Sequence, residues 1–426
     1  MGEEKVEKQN SSYRWIVFGS VLFSYFIIVS QRTAPGLITN QLMKDFNITA
    51  AVVGLLTSIQ FFAYSGLQIP IGLLSDRLGP NGFLIVGTLF NGLGTVVYST
   101  ASNEYVLFLS RLMVGTGDAA IWVNLVLILS QWFKVGEFIK LLGFAGMAGS
   151  LGSLLATLPF SAWISASGWR IPFLSSGIML CLSGILLYFV LVIRPRQLFK
   201  NISETKKPQH KKREKTSVIL KRMITTRQAW ATFLCHFGVM GTYVGFIGSW
   251  GVPFGMDIYH MSRSAASQLL MYGLLGAIFG APIISWFTSR RETIKGTYLS
   301  IQFIIFLSWL TFFLFAGKPP FFMSVILFIA TGFGSAAGSL TFAIVRKSFP
   351  MTEVGAISGF ANTGGFISAV LLPFLFGNVL DHFHHAPVNV GYQYGFLIPV
   401  LFSFIAVIGG IMVKEKQKNK QSQLSA

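Results

Sequence analysis

The sequence predicts an all-α integral membrane protein, with twelve transmembrane helices in two six-helix bundles related by a parallel repeat. Three observations predict it. Of the 426 residues, 53% are hydrophobic and 11% charged, where a soluble domain carries about 25% charge. The apolar residues gather into twelve runs, each long enough to cross the ~30 Å hydrocarbon layer as a helix. The basic residues fall almost entirely on alternate connections between those runs. This balance excludes disorder and excludes a water-soluble globule, which would need far more polar surface at this length.

In chain order, the first half carries Trp15–Leu37, Ala50–Leu74, Gly82–Thr100, Tyr105–Gln131, Ile139–Ser165 and Ile171–Ile193. The second carries Gln228–Phe254, Ser264–Phe287, Ile294–Phe315, Phe321–Val345, Val354–Leu380 and Tyr394–Val413. Each must be helical, because a backbone group left unpaired in lipid has no water to turn to. The first run reads as a span and not a cleaved signal, since eleven more follow and no A-x-A-like site closes it. The start, Met1-Gly-Glu-Glu-Lys-Val6, lacks the Ser or Thr of a myristoylation signal. Cys181 and Cys235 both fall inside apolar runs, so no disulfide framework is implied.

Of the 33 Lys and Arg, 27 lie in the two tails, at Arg77, Lys134 and Lys140, in the stretch 194–227, and at Arg290, Arg291, Lys295, Arg346 and Lys347. The opposite connections hold only Lys44, Arg170, Arg263 and Lys318. Cytoplasmic loops carry the excess of Lys and Arg, so both termini are expected in the cytoplasm of a multi-pass cell-membrane (inner or plasma membrane) protein. Most of the +18 net charge therefore marks topology. The run Lys206 to Arg227 is tethered at both ends to spans and has no interleaved aromatics. It reads as topogenic, with contact to anionic lipid, and not as a nucleic-acid site.

The same basic stretch divides the chain. The expected organisation is a tail over 1–14, a bundle over 15–193, a linker over 194–227, a second bundle over 228–413 and a tail over 414–426. The halves repeat at an offset of about half the length. Trp15 and Phe18 match Trp230 and Phe233; Gly115-Thr-Gly-Asp-Ala-Ala matches Gly332-Phe-Gly-Ser-Ala-Ala; Gly143-Phe-Ala matches Gly359-Phe-Ala. Six spans carry the offset into the same membrane orientation, so the repeat is parallel.

Gly72-Leu-Leu-Ser-Asp76-Arg77-Leu-Gly79, after the second run, resembles the loop 2–3 signature of the major facilitator superfamily. Leu109-Ser-Arg111-Leu-Met-Val-Gly115-Thr-Gly117 resembles its span 4 signature, and Gly168-Trp169-Arg170 its span 5–6 turn. Pro80-Asn81 stand where that family usually has further basic residues, and Thr288-Ser-Arg290-Arg291 lacks the acidic residue of the repeat. The resemblance implies a major facilitator fold and a gating latch at Gly72, Asp76, Arg77 and Gly79, made and broken during alternating access. Physically the segment also suits a plain polar turn, with glycines for the bend and Asp76 free to face a helix N-terminus.

Three charges remain inside the runs: Arg32, Arg111 and Asp118. Intramembrane charge costs about 2.5–3.5 kcal/mol per residue on insertion scales, so such residues mark functional sites. Their repeat mates Ile247, Phe328 and Ser335 are uncharged, and the second half offers only His236. Arg111 and Asp118 share a helix face but sit ~10 Å apart along the axis, so Asp118 needs a partner on another helix, a water or a proton. Proton coupling through Asp118 is the sharper reading; a static pair with Arg32 that ties spans 1 and 4 is the plainer one. His236 is read either as a core histidine or as a proton relay.

An Arg late in span 1 resembles the anion:cation symporter and organophosphate antiporter branches. A guanidinium there can hold a carboxylate bidentately, unless Arg32 merely snorkels outward. The organophosphate branch adds a second Arg on span 7, absent here, which favours a monocarboxylate. The resemblance further implies proton coupling or domain packing for Arg111. It makes Gln60, Tyr64, Gln68, Asn124, Trp250 and Asn362 candidate substrate contacts, each equally suited to helix–helix hydrogen bonding.

The expected function is alternating-access secondary transport, proton-coupled, of a small organic anion by a monomer. Proton-driven efflux of an amphipathic compound and a transporter-like membrane sensor are the alternatives. No nucleotide-binding glycine loop followed by Lys-Ser/Thr appears, and no cofactor, enzyme activity or metal is expected. His382, His384 and His385 read as a solvated loop.

Overall fold

A computed structural model of the chain describes residues 2–157, 159–199, 215–291 and 293–415. The described residues form helices and turns, with no strand among them. Among the described residues, eleven helices are long and apolar enough to cross a membrane. In the first half these are span 1 (Tyr13–Arg32), span 3 (Pro80–Ser99), span 4 (Glu104–Trp132), span 5 (Val135–Ser167) and span 6 (Arg170–Leu198). In the second half they are span 7 (Arg227–Ser249), span 8 (Ala265–Arg291), span 9 (Ile294–Leu314), span 10 (Phe321–Ser348), span 11 (Val354–His382) and span 12 (Val388–Met412). The remaining run, span 2, lies in the 29-residue helix Ala50–Leu78.

Between the halves, span 6 continues to Leu198 and a short helix covers Thr216–Thr225. Lys206, Lys211 and four more of the twelve basic residues of the linker lie outside the described residues, as do tail residues 416–426. The helix Thr216–Thr225 is not a loose tether. Its Ile219 and Leu220 pack with Ile69 and Leu73 of span 2 and Ala356 of span 11.

The parallel repeat is visible in how spans 4 and 10 are built. Span 4 breaks at Ala120, and span 10 breaks over Ala336 and Ala337, the second of which is the repeat mate of Ala120. The glycines just before each break are weak helix formers. They also let backbones meet: Gly115 sits on the Gln60 backbone of span 2, and Gly332 on Gly273 of span 8. Gly117 meets Gly87 of span 3, and its mate Gly334 meets Ile305 of span 9.

The two bundles meet along spans 2 and 11 and along spans 5 and 8. Span 5 manages this with Gly143 and Gly146 against Ser285 and Ala281, and its Gly149 and Gly152 let span 1 approach. Among the described residues, the polar and aromatic contacts that cross between bundles lie at mid-span or toward the basic end. In the opposite half an apolar cavity of about 560 Å³ opens between spans 1, 5 and 8, lined by Phe26, Leu151, Leu154, Leu155, Pro159, Met271 and Leu275. The molecule is thus closed at its basic end.

Candidate functional site

Asp118 lies two residues before the break in span 4, with 1% of its side chain exposed. Its Oδ2 accepts from Arg32 Nε at 3.1 Å and from Gln60 Nε2 at 3.1 Å, and its Oδ1 accepts from Asn91 Nδ2 at 2.7 Å. Spans 1, 2, 3 and 4 therefore converge on one carboxylate. Arg32 turns inward to make this bond and does not snorkel away. Its guanidinium lies over the Tyr64 ring at 5.0 Å, and its side chain keeps 17% exposure.

Arg111 reaches the same group by one relay. Its Nη1 donates to Gln60 Oε1 at 3.4 Å, and its guanidinium stacks on Tyr98 at 3.5 Å. Arg111 Nη2 has no hydrogen-bond partner among the described residues. The interior of this bundle thus holds two guanidiniums against one carboxylate, an excess of one positive charge. Burying charge without a counter-ion is costly, so the arrangement favours an anion.

A second polar group spans the bundle interface. Asn362 Nδ2 donates to Tyr64 Oη at 3.2 Å and to Gln68 Oε1 at 3.0 Å, while His236 Nε2 meets Asn362 Oδ1 at 3.2 Å. Asn124 is fully buried, and its Nδ2 donates to the Ala120 carbonyl at 2.6 Å, at the break in span 4. Trp250 donates its indole N–H to the Pro373 carbonyl at 2.9 Å and stacks on Phe376, joining spans 7 and 11 inside one bundle. Of the candidate contacts, Arg32, Gln60 and Tyr64 come together at Asp118; Trp250 and Asn124 serve backbone carbonyls elsewhere.

At the basic end, Asp76 accepts from the Gly355 and Ala356 N–H groups, each at 2.8 Å. These are orphan donors of the first turn of span 11, and a carboxylate also suits the positive end of that helix. Gly72 sits against the Gly355 backbone, where any side chain would collide. Gly79 joins spans 2 and 3 at φ +94°, a conformation in which glycine is at ease. Arg77 is half-buried beside them. Arg222 of the short helix pairs with Glu353, which precedes span 11 and is 3% exposed.

Asn91, Tyr98 and Glu353 are absent from the sequence-derived candidates. Asn91 is the single amide in the run Gly82–Thr100, and that isolation was the available signal. Nothing in the spacing told which carboxylate it would face.

The sequence model of the Major Facilitator Superfamily matches residues 21–315 and 252–426. The chain belongs to the Major Facilitator Superfamily. Among curated relatives, it is 22% identical to the probable sulfoacetate transporter SauU of Cupriavidus necator, covering 88% of this chain and 89% of that protein. It is 22% identical to the probable galactarate/D-glucarate transporter GudP of Bacillus subtilis, covering 97% and 96%. Among solved structures, the E. coli fucose:proton symporter FucP superposes with a TM-score of 0.73 at 17% identity, covering 95% of this chain and 100% of that one. This superfamily member is a multi-pass membrane protein and a secondary transporter, not an enzyme, and it has the two-bundle fold of its structural neighbours.

Proposed function

We propose that the protein carries a small organic carboxylate across the membrane together with a proton. The observation that carries this reading is the excess positive charge around Asp118, with Arg32 partly exposed. An incoming carboxylate competes with Asp118 for the Arg32 guanidinium, which offers a charge-assisted, fork-shaped donor set. Asp118, once displaced, is a buried carboxylate without its counter-ion, a state that taking up a proton on Oδ2 relieves. Asn91 continues to hold Oδ1. One anion and one proton then occupy the site together, and the pair of bundles rocks around it. The probable substrates of these relatives, sulfoacetate and galactarate or D-glucarate, support an anionic cargo. The basic end is taken as cytoplasmic, which makes an inward proton gradient drive uptake.

The test is flux into proteoliposomes under an imposed pH gradient, with a panel of labelled mono- and dicarboxylates. Gradient-dependent uptake of a carboxylate, lost in Arg32→Ala, is expected. No gradient-dependent flux across the panel, or full flux in Arg32→Ala, overturns the reading. The apolar cavity beside Phe26, six residues or ~9 Å along span 1 from Arg32, favours a second reading, efflux of an amphipathic compound. Competition by an apolar cation, with none by carboxylates, would decide for it.

A further inference from the structure

Asn362 belongs to span 11, yet both protons of its Nδ2 are given to the other bundle, at Tyr64 Oη and Gln68 Oε1. Its Oδ1 is left as an acceptor for the His236 Nε2–H. Each crossing bond ends one step from the Arg32–Asp118 pair. The Tyr64 ring lies under the Arg32 guanidinium at 5.0 Å. Gln68 Nε2 makes a long bond of 3.5 Å to the carbonyl of Ala119, the residue after Asp118. Tyr64, Gln68, Asn362 and His236 are at most 4% exposed. Phe366, one turn along, closes over Tyr64 at 4.1 Å, and Gly359 sits on the Gln68 backbone. With water excluded, these bonds break only if spans 2 and 11 part.

We propose that Asn362 is the positioning residue through which the Arg32–Asp118 pair controls the separation of spans 2 and 11. It touches neither charged group and senses each through one intermediary. When an anion draws Arg32 off Asp118, the guanidinium shifts over Tyr64. The freed Asp118 then relaxes the backbone at the break in span 4, where Gln68 is tied. Both acceptors of Asn362 move, and the bridge across the closed end lets go. With the pair intact, the bridge holds that end shut. The inference rests on the reading of Arg32–Asp118 as the transport site.

The test measures distance distributions between spin labels at Leu78→Cys and Thr352→Cys, both exposed positions at the basic end, with Cys181→Ala and Cys235→Ala in the background. Without any anion, Asn362→Leu is expected to raise the ratio of open to closed molecules about tenfold. Tyr64→Phe, which removes one acceptor with minimal change of shape, shifts it in the same direction. Arg32→Ala, which dissolves the pair without a ligand, opens the end when Asn362 is present and adds less than twofold to Asn362→Leu. In exchange assays Asn362→Leu lowers the maximal rate while KM stays within about twofold. An unchanged distribution in both Asn362→Leu and Tyr64→Phe overturns the proposal. So does full additivity of Arg32→Ala with Asn362→Leu. Undiminished anion flux in Arg32→Ala would instead refute the transport-site reading, an outcome the distances report separately.

Discussion

At the scale of single residues, Asp118 is held by three side-chain donors from three other spans, and its behaviour follows from which of them leaves. Asp118→Asn removes the proton carrier but leaves an amide that Asn91 and Gln60 can still engage. The expected outcome is retained anion exchange with loss of accumulation against a gradient, measured by counterflow beside gradient-driven uptake in the same vesicles. Arg32→Lys keeps the charge but replaces a planar fork with a point charge. At least a tenfold fall in the kcat/KM of uptake is expected, and a fall below twofold would show that charge alone suffices. The charged members of the site were legible in the sequence, because a charge inside an apolar run stands out. Asn91 and Tyr98 were not, since an amide or a phenol is ordinary in a membrane helix and only packing brings it to a partner.

At the scale of elements, the breaks in spans 4 and 10 and the glycines beside them set how closely the helices approach. The sequence repeat pointed to the two glycine motifs, and the structure shows them spending their missing side chains on equivalent neighbours, spans 2 and 3 in one half and spans 8 and 9 in the other. Across the bundles, Gly359 meets the Gln68 backbone and Gly72 meets Gly355. Gly359→Val places a branched side chain against that backbone, so the closed basic end becomes strained while the open one does not. The variant is expected to increase alkylation of a cysteine placed at Thr352 several-fold. Unchanged alkylation would show that the helices adjust. The loop 2–3 segment was legible as a turn with a capping carboxylate; its target, the first turn of span 11, lies 279 residues away and had no local signature.

At the scale of the whole molecule, the sequence assigns 27 of 33 basic residues to one set of connections, and the structure is closed at the end where the described ones lie. A fluorescent reporter that matures only in the cytoplasm, fused after Ala426, is expected to light up, whereas a periplasmic phosphatase fused at the same point stays inactive. The reverse pattern would invert the proposed orientation and with it the direction of driven transport. The three charges read as lying inside the apolar runs, Arg32, Arg111 and Asp118, all belong to one bundle, so the repeat supplies the scaffold symmetrically and the chemistry from one side.

The sequence by itself determined the spans, their number and their repeat, because lipid forces each apolar run to satisfy its backbone internally, and that demand is local. It also exposed the charges, because their cost in lipid makes them conspicuous. Only the tertiary structure decided their partners. Side-chain hydrogen bonds between spans depend on helix rotation and close approach at glycines, which no spacing along the chain encodes. Arg32 could have faced outward, and Asn362 could have faced its own bundle. Packing turned one toward Asp118 and carried the other across the interface to Tyr64 and Gln68.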